Sequence, residues 1–334
     1  MTMPGVWVTW AGLVAVGALA WWLTGRLRQY ALDRQMVDVP NARSSHQGAI
    51  PRGGGGAMVV AVTFGVAWWA ASAGVAELWG VLVGGLIVAT VGFVDDHRSV
   101  SPIIRLIGHT VAALIAVASL AGGAMAWTAL CVFGIVWLIN LTNFMDGIDG
   151  LAGAEVVTVC GVGAALQAWV LPGAGFWIEP AIVAVAAVGF LIWNWPPARI
   201  FMGDVGSGFV GFMMAVLALR AAEAAPALGW SWVILLGVFV SDATVTLVRR
   251  AVRGDRLFQA HRSHAYQHLA HAWGSHRAAT ALVVGINLCW LTPIAALVAN
   301  HDVNGITGLI AAYVPVVAGV WWCGAGAGTP GVSR

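Results

Sequence analysis

Apolar residues in this chain come in long unbroken runs, not in the alternating stripes of a soluble amphipathic helix. About 20 apolar residues span the hydrocarbon core of a bilayer as a helix. A helix suits that setting because it pairs its own backbone N–H and C=O groups without water. The pattern predicts eleven such helices, roughly at 5–24, 54–73, 77–94, 104–121, 125–141, 151–171, 178–195, 206–222, 229–248, 278–299 and 303–322. No stretch is left over for a separate soluble domain. The expectation is an all-α, polytopic membrane protein in which residues 1–334 form one membrane-embedded domain.

Charge supplies the orientation. Only 9% of the 334 residues are charged, against about a quarter in a soluble domain. All 16 basic residues are Arg. The first run, Val6 to Leu23, has no basic residue before it and Arg26 and Arg28 after it, which fits a retained helix better than a cleaved signal. With the N-terminus outside and the spans alternating, 15 of the 16 Arg fall on the inner side, and only Arg220 falls outside. The positive-inside rule therefore puts the N-terminus outside and the C-terminus in the cytoplasm. The net charge of +2 gives no footing for a nucleic-acid partner, and none is expected. The four cysteines form no CxxC or CxxH pair, so neither a zinc ribbon nor a disulfide framework is indicated.

Most of the Asp residues sort to the same side, which no topology rule demands, whereas Glu77, Glu179 and Glu223 fall outside. Asp33, Asp38, Asp95, Asp96, Asp146, Asp149, Asp204, Asp242 and Asp255 all belong to inner loops or inner helix ends. Carboxylates gathered beside Arg suggest a site for a cation and phosphates. Asp95 and Asp96 close the third helix, where the helix dipole disfavours anions, so Arg98 or a divalent cation is expected to compensate. Asn140, Asn143, Asp146 and Asp149 recur every three residues and would share one face of a helical turn. In the same segment, Gly147 and Gly150 would let backbone approach a ligand. The segment Pro197 to Gly208 places Asp204 and Ser207 at a helix start, where phosphate is favoured and Ser207 could cap.

Three further features stay open on the residues alone. His261, His264, His268 and His271 have 3-4-3 spacing, which fits a helical stripe for zinc, for phosphate or for neither. The first inner loop, Arg43 to Gly56, is either an anion-binding nest or a flexible linker. Asp242, within an apolar run, is either functional or one half of an ion pair.

The segments GFVDD, NLTNFMDGIDGLAG and PARIFMGDVGSG, in this order, resemble the polyprenyl-phosphate N-acetylhexosamine-1-phosphate transferases of glycosyltransferase family 4. The similarity runs from about His46 to His268, and the RSSH…PRGGG and HRSHAYQ forms look closest to the O-antigen-initiating branch. The resemblance implies a Mg²⁺-dependent phosphotransferase, with Mn²⁺ as a substitute. Its substrates would be a UDP-N-acetylhexosamine and undecaprenyl phosphate, and UMP would be released at the start of cell-envelope polysaccharide synthesis. It further implies a bacterial inner membrane with the site facing the cytoplasm, contact with membrane lipids, and room for a homodimer.

Residue by residue, Asn143 and Asp204 match the metal ligands. Asp95 matches the residue proposed to deprotonate the acceptor phosphate, and Asp96 sits beside it. Asp146 and Asp149 match nucleoside and sugar contacts, and Phe201 matches a uracil-stacking position. His264 matches the first His of a phosphate-contacting HxHH motif, which here departs to His264-Ala265-Tyr266-Gln267. His46 and Arg52 complete the substrate-binding set.

Overall fold

The computed structural model describes residues 5–38, 49–120, 124–255 and 261–327. The apolar runs fold as α1 (Val6–Asp33), α2 (Gly56–Ala73), α3 (Glu77–His97), α4 (Pro102–Leu120), α5 (Met125–Met145), α6 (Leu151–Val170), α7 (Ile178–Asn194) and α8 (Asp204–Ala224). These are followed by α9 (Pro226–Leu235), α10 (Gly237–Val252), α11 (Ala265–Trp273), α12 (His276–Ile286), α13 (Thr292–Ala299) and α14 (Gly305–Trp322). Among the described residues, nine helices are long and apolar enough to cross a membrane, with α12 and α13 counted as one. The bent α9–α10 pair makes a tenth, and α7 is a shorter apolar helix of 17 residues. All eleven expected spans are therefore helical. A two-stranded ribbon, β1 (Val37–Asp38) against β2 (Ile50–Pro51), is the β structure seen among the described residues.

Two spans are less regular than their hydropathy suggests. The span expected at 229–248 breaks at Leu236, and its halves differ in direction by 60°. Gly237 lies at the break, where a Cβ would press on Leu291 and Tyr313. The span expected at 278–299 carries a π-helical turn at Asn287–Leu291.

Burial divides the helices. α8 is enclosed along most of its length by α3, α5 and α9, whereas α1, α4 and α14 leave most of their apolar surface for lipid. α8 can be surrounded because its first turns carry small residues. Gly55 and Gly206 bring backbone against backbone, and a Cβ on either would overlap the other's Cα. The polar ends of α3, α5, α7 and α10 and the polar starts of α4, α6, α8 and α12 meet at one end of the bundle.

The exceptional Arg220 lies at the opposite end. It is buried and forms a two-pronged ion pair with Glu179, at 2.6 and 2.8 Å.

Candidate active site

The site is built where the end of α3 meets the start of α8. A helix start has unpaired N–H groups that favour an anion. Asp96 supplies it from another helix, its Oδ1 accepting from the Asp204 N–H and its Oδ2 from the Val205 N–H, both at 3.1 Å. The cap of α8 is therefore Asp96. Ser207, expected to cap, lies within the first turn, and its hydroxyl accepts from the Asn143 side chain at 3.2 Å. Both Asp96 oxygens are engaged at the start of α8, and the side chain is buried.

Asp95, one residue earlier, points elsewhere. Its Oδ1 accepts from the Val100 N–H at 2.7 Å, and its Oδ2 pairs with Arg105 at 2.7 Å. The same Arg105 nitrogen lies 3.7 Å from Asp204 Oδ2. Arg105, from α4, is thus the compensating cation expected at Arg98, and Arg98 itself is exposed. The Asp95 and Asp204 carboxyl groups lie within hydrogen-bonding reach of one another. Two such groups repel unless a proton or a cation intervenes. Asn143 closes the cluster, its Nδ2 donating to Asp204 Oδ1 at 3.0 Å.

Asp146 follows directly on α5. Burial, together with the fields of Asp204, Asp96 and Asp149, pushes its carboxyl well above the usual range. That concentration of negative field attracts a cation. The repeat of four polar residues does not hold together as one face, however. Asn140 donates back to the Val136 carbonyl within its own helix. Asp149 lies past the end of α5 and is buried, its Oδ2 accepting from the Ala198 N–H at 2.9 Å and its Oδ1 3.2 Å from His276. Asp149 thereby ties the loop before α6 to the loop before α8. Asn194 does the same, accepting from the Gly150 N–H and donating to the Ile200 carbonyl. The neighbouring glycines make room for protein: a Cβ on Gly147 would overlap the Tyr266 hydroxyl, and one on Gly150 would press on Pro196.

The glycine-rich first loop is neither nest nor linker over its described part. The Gly54 and Gly55 N–H groups donate to the Phe201 and Met202 carbonyls, at 2.9 and 2.8 Å, and so are not presented to an anion. Phe201 is held on both backbone sides, its own N–H donating to the Pro51 carbonyl at 2.8 Å. Arg52 donates to the Asp96 carbonyl. His46 lies outside the described residues.

The histidine stripe is broken, because α11 starts only at Ala265. His261 and His264 precede it with rings stacked at 5.0 Å, and burial and the neighbouring His264 depress His261 to about 3, which keeps it neutral. Asp242 organises this corner. Its Oδ1 accepts from the Ala265 N–H at 2.9 Å and lies 3.3 Å from His264 Nδ1, and its Oδ2 accepts from the Tyr266 N–H at 3.0 Å. The Tyr266 hydroxyl then donates to the Phe144 carbonyl at 3.0 Å, fixing α11 against the end of α5 beside Asn143.

Among the described residues, no group of three or more His, Cys, Asp or Glu side chains could hold a metal ion alone. That removes support for a zinc site on the stripe. Mg²⁺ is typically held by one or two carboxylates together with substrate phosphates and water. Asp204 and Asn143, with Asp95 beside them, form such a partial set.

The structure thus brings together Asp95, Asp96, Asn143 and Asp204, with Asp146 close enough to feel their field. Asp149, Phe201 and His264 border them on separate loops. Arg105, Asn194 and His276 were missed, each joining the site from a neighbouring helix end.

An all-helical membrane scaffold with a carboxylate cluster at helix ends defines a class, and comparison with known proteins defines it further. Residues 78–222, which carry Asp95, Asn143 and Asp204, match the family model of glycosyl transferase family 4. The chain is distantly homologous to polyprenyl-phosphate N-acetylglucosamine-1-phosphate transferases. It is 29% identical over 282 residues to a Bacillus subtilis protein named as a probable undecaprenyl-phosphate N-acetylglucosaminyl 1-phosphate transferase, a match covering 78% of this chain and 77% of that one. It is 28% identical over 320 residues to a Mycobacterium tuberculosis decaprenyl-phosphate N-acetylglucosaminephosphotransferase, covering 81% and 78%. It is 33% identical over 198 residues to a Synechococcus elongatus phospho-N-acetylmuramoyl-pentapeptide-transferase, covering 52% and 48%. The protein is a multi-pass membrane transferase of phospho-sugars.

Proposed function

We propose that this protein transfers N-acetylhexosamine 1-phosphate from a UDP-sugar to undecaprenyl phosphate at the cytoplasmic face of a bacterial inner membrane. The observation that carries the reading is the cluster of Asp95, Arg105, Asn143 and Asp204 at the start of α8. A phosphate oxygen of the lipid attacks the sugar-bearing phosphorus. The anhydride bond to the other phosphorus breaks, and UMP leaves with the electron pair. One anhydride is made as one is lost, so the protein's task is to bring two anions together and line them up.

Each residue has a part in that task. Asp95 stands where it can take the remaining proton from the acceptor phosphate, or orient that phosphate for attack. Arg105 screens Asp95 from Asp204 and offers a guanidinium to the diphosphate. Asp204 and Asn143 would hold Mg²⁺, with Mn²⁺ as a substitute, and that ion supplies charge neutralisation to the donor diphosphate. His264, oriented by Asp242, faces the donor from the opposite loop. Asp146 and Phe201 are assigned to the nucleoside and sugar.

UDP-N-acetylglucosamine is the first donor to assay, because the relatives' names specify that sugar. The first-loop RSSH…PRGGG wording favours initiation of an O-antigen type of polysaccharide. The test is UMP release by purified protein with undecaprenyl phosphate, Mg²⁺ and a panel of UDP-sugars. Asp204→Ala is expected to lose transfer by about a thousandfold, a reasonable scale for removing a principal electrostatic group. Near-wild-type turnover by this variant would sink the metal assignment.

A further inference from the structure

Residues 195–203 join α7 to α8 without helix or strand, yet burial alternates along this stretch. Asn194, Pro196, Ala198 and Ile200 are buried, and Trp195, Pro197 and Arg199 are exposed. That is the face pattern of a strand, but among the described residues no strand pairs with it. Buried backbone groups need partners, and here side chains supply them. The Ala198 N–H donates to Asp149, the Ile200 carbonyl accepts from Asn194, and the Pro196 carbonyl accepts from Arg277 Nη2, each at 2.9 Å.

Two of these three partners trace to the start of α12. Arg277 belongs to its first turn, which Ser275 caps by accepting from the Ala278 N–H at 3.1 Å. His276 Nδ1 accepts from the Asp149 N–H at 3.4 Å and lies 3.2 Å from Asp149 Oδ1. The Thr280 hydroxyl donates to the Asp149 carbonyl at 3.1 Å. α12 thus grips the loop directly at Pro196, and indirectly at Ala198 through Asp149. The loop leads to Phe201, whose N–H and carbonyl are held on the other side by Pro51 and Gly54. With its backbone held from both sides, Phe201 has little freedom left to lose when a planar base stacks on its ring.

We propose that the start of α12 positions the nucleobase end of the donor site, with Arg277 and His276 as positioning residues that act through the loop carrying Phe201. The proposal rests on the transferase reading above, which assigns Phe201 to the nucleoside, and adds what sets its place.

Arg277 is exposed, so Arg277→Ala tests the idea without opening the core. The variant is expected to raise the KM for the UDP-sugar about tenfold, the scale of one lost charged hydrogen bond. The turnover at saturating donor, the KM for undecaprenyl phosphate and the melting temperature stay near wild type, the pattern of lost uniform binding. Uridine, which has the base but no phosphate, separates positioning from simple attraction of the diphosphate by a positive charge. Its inhibition constant is expected to rise by the same factor as the donor KM. An unchanged uridine constant would make Arg277 a phosphate-attracting charge and overturn the proposal. In a Phe201→Ala background, Arg277→Ala is expected to add less than about twofold, since the two residues act through one contact. Fully multiplying effects would overturn the proposal as well.

Hydrogen exchange reads the loop without turnover. Wild type and Arg277→Ala are compared in nanodiscs over a peptide covering residues 195–203, with His276→Ala as a second variant. Faster exchange is expected in both variants, and exchange equal to wild type in both would overturn the proposal. If wild-type protein releases no UMP, the transferase reading fails, and the exchange rates still report separately on the hold of α12 on the loop.

Discussion

Asp95 and Asp96 are adjacent in sequence and differ in task, because neighbours on a helix point about 100° apart. Asp96 turns into the start of α8, while Asp95 turns toward Val100 and Arg105. The two should separate in experiment. Asp95→Asn is expected to keep the melting temperature, bind both substrates and make no product. Asp96→Asn, which weakens a charged cap, is expected to lose about 1 kcal/mol of stability, seen as a lower melting temperature in detergent. The sequence showed a carboxylate pair but not this division, nor the partner. Arg105 was hidden because it lies ten residues from Asp95 and returns only through the short connection between α3 and α4. A pH effect also belongs to single residues. His261 is held near 3 in the folded protein, against an ordinary value near 6.5. The unfolded chain therefore binds the extra proton first, and stability contributed by neutral His261 is full above about pH 6.5 and falls as pH drops toward 3. His261→Asn should lessen the drop in melting temperature between pH 7.5 and 5.5, and an unchanged drop would count against this.

Between elements, the site depends on loops locked to one another. The first inner loop is read from sequence as a nest or a linker, yet Gly54 and Gly55 donate to the Phe201 and Met202 carbonyls. Composition reveals that such a loop is rich in glycine; it does not reveal that the reason is the backbone of Gly206. Gly206→Ala is expected to push the first loop off α8 and cost more than about 2 kcal/mol, an overpacking penalty, with a fall in both melting temperature and transfer. The histidine spacing misled for a related reason. A 3-4-3 pattern signals one face only if the helix has begun, and here His264 stands before Ala265 in extended backbone. What starts that helix is Asp242, distant in sequence, through the Ala265 and Tyr266 N–H groups. Asp242→Ala removes the acceptor for two buried donors and should destabilise by several kcal/mol. Asp242→Asn keeps the shape but loses control of the His264 tautomer, so its turnover and pH profile should shift more than its melting temperature.

Across the whole molecule, the long apolar runs made the all-helical fold legible, and they placed most spans within a few residues, α1 running nine residues past its expected end. Less visible were the breaks at Leu236 and Asn287, because hydropathy averages over a turn and does not register a bend. The exception to the charge rule also has a structural answer, since Arg220 is buried against Glu179 rather than displayed to either side. Arg220→Ala should leave a buried carboxylate unpaired and cost about 3–5 kcal/mol, read from the melting temperature. The central claim is that phosphorus moves with the sugar to a lipid. The direct measurement uses UDP-N-acetylglucosamine labelled at the sugar-linked phosphorus, incubated with undecaprenyl phosphate, Mg²⁺ and the purified protein. The account predicts label in the lipid phase in step with unlabelled UMP in the water phase. Labelled UDP in the water phase, with sugar alone in the lipid, would contradict it.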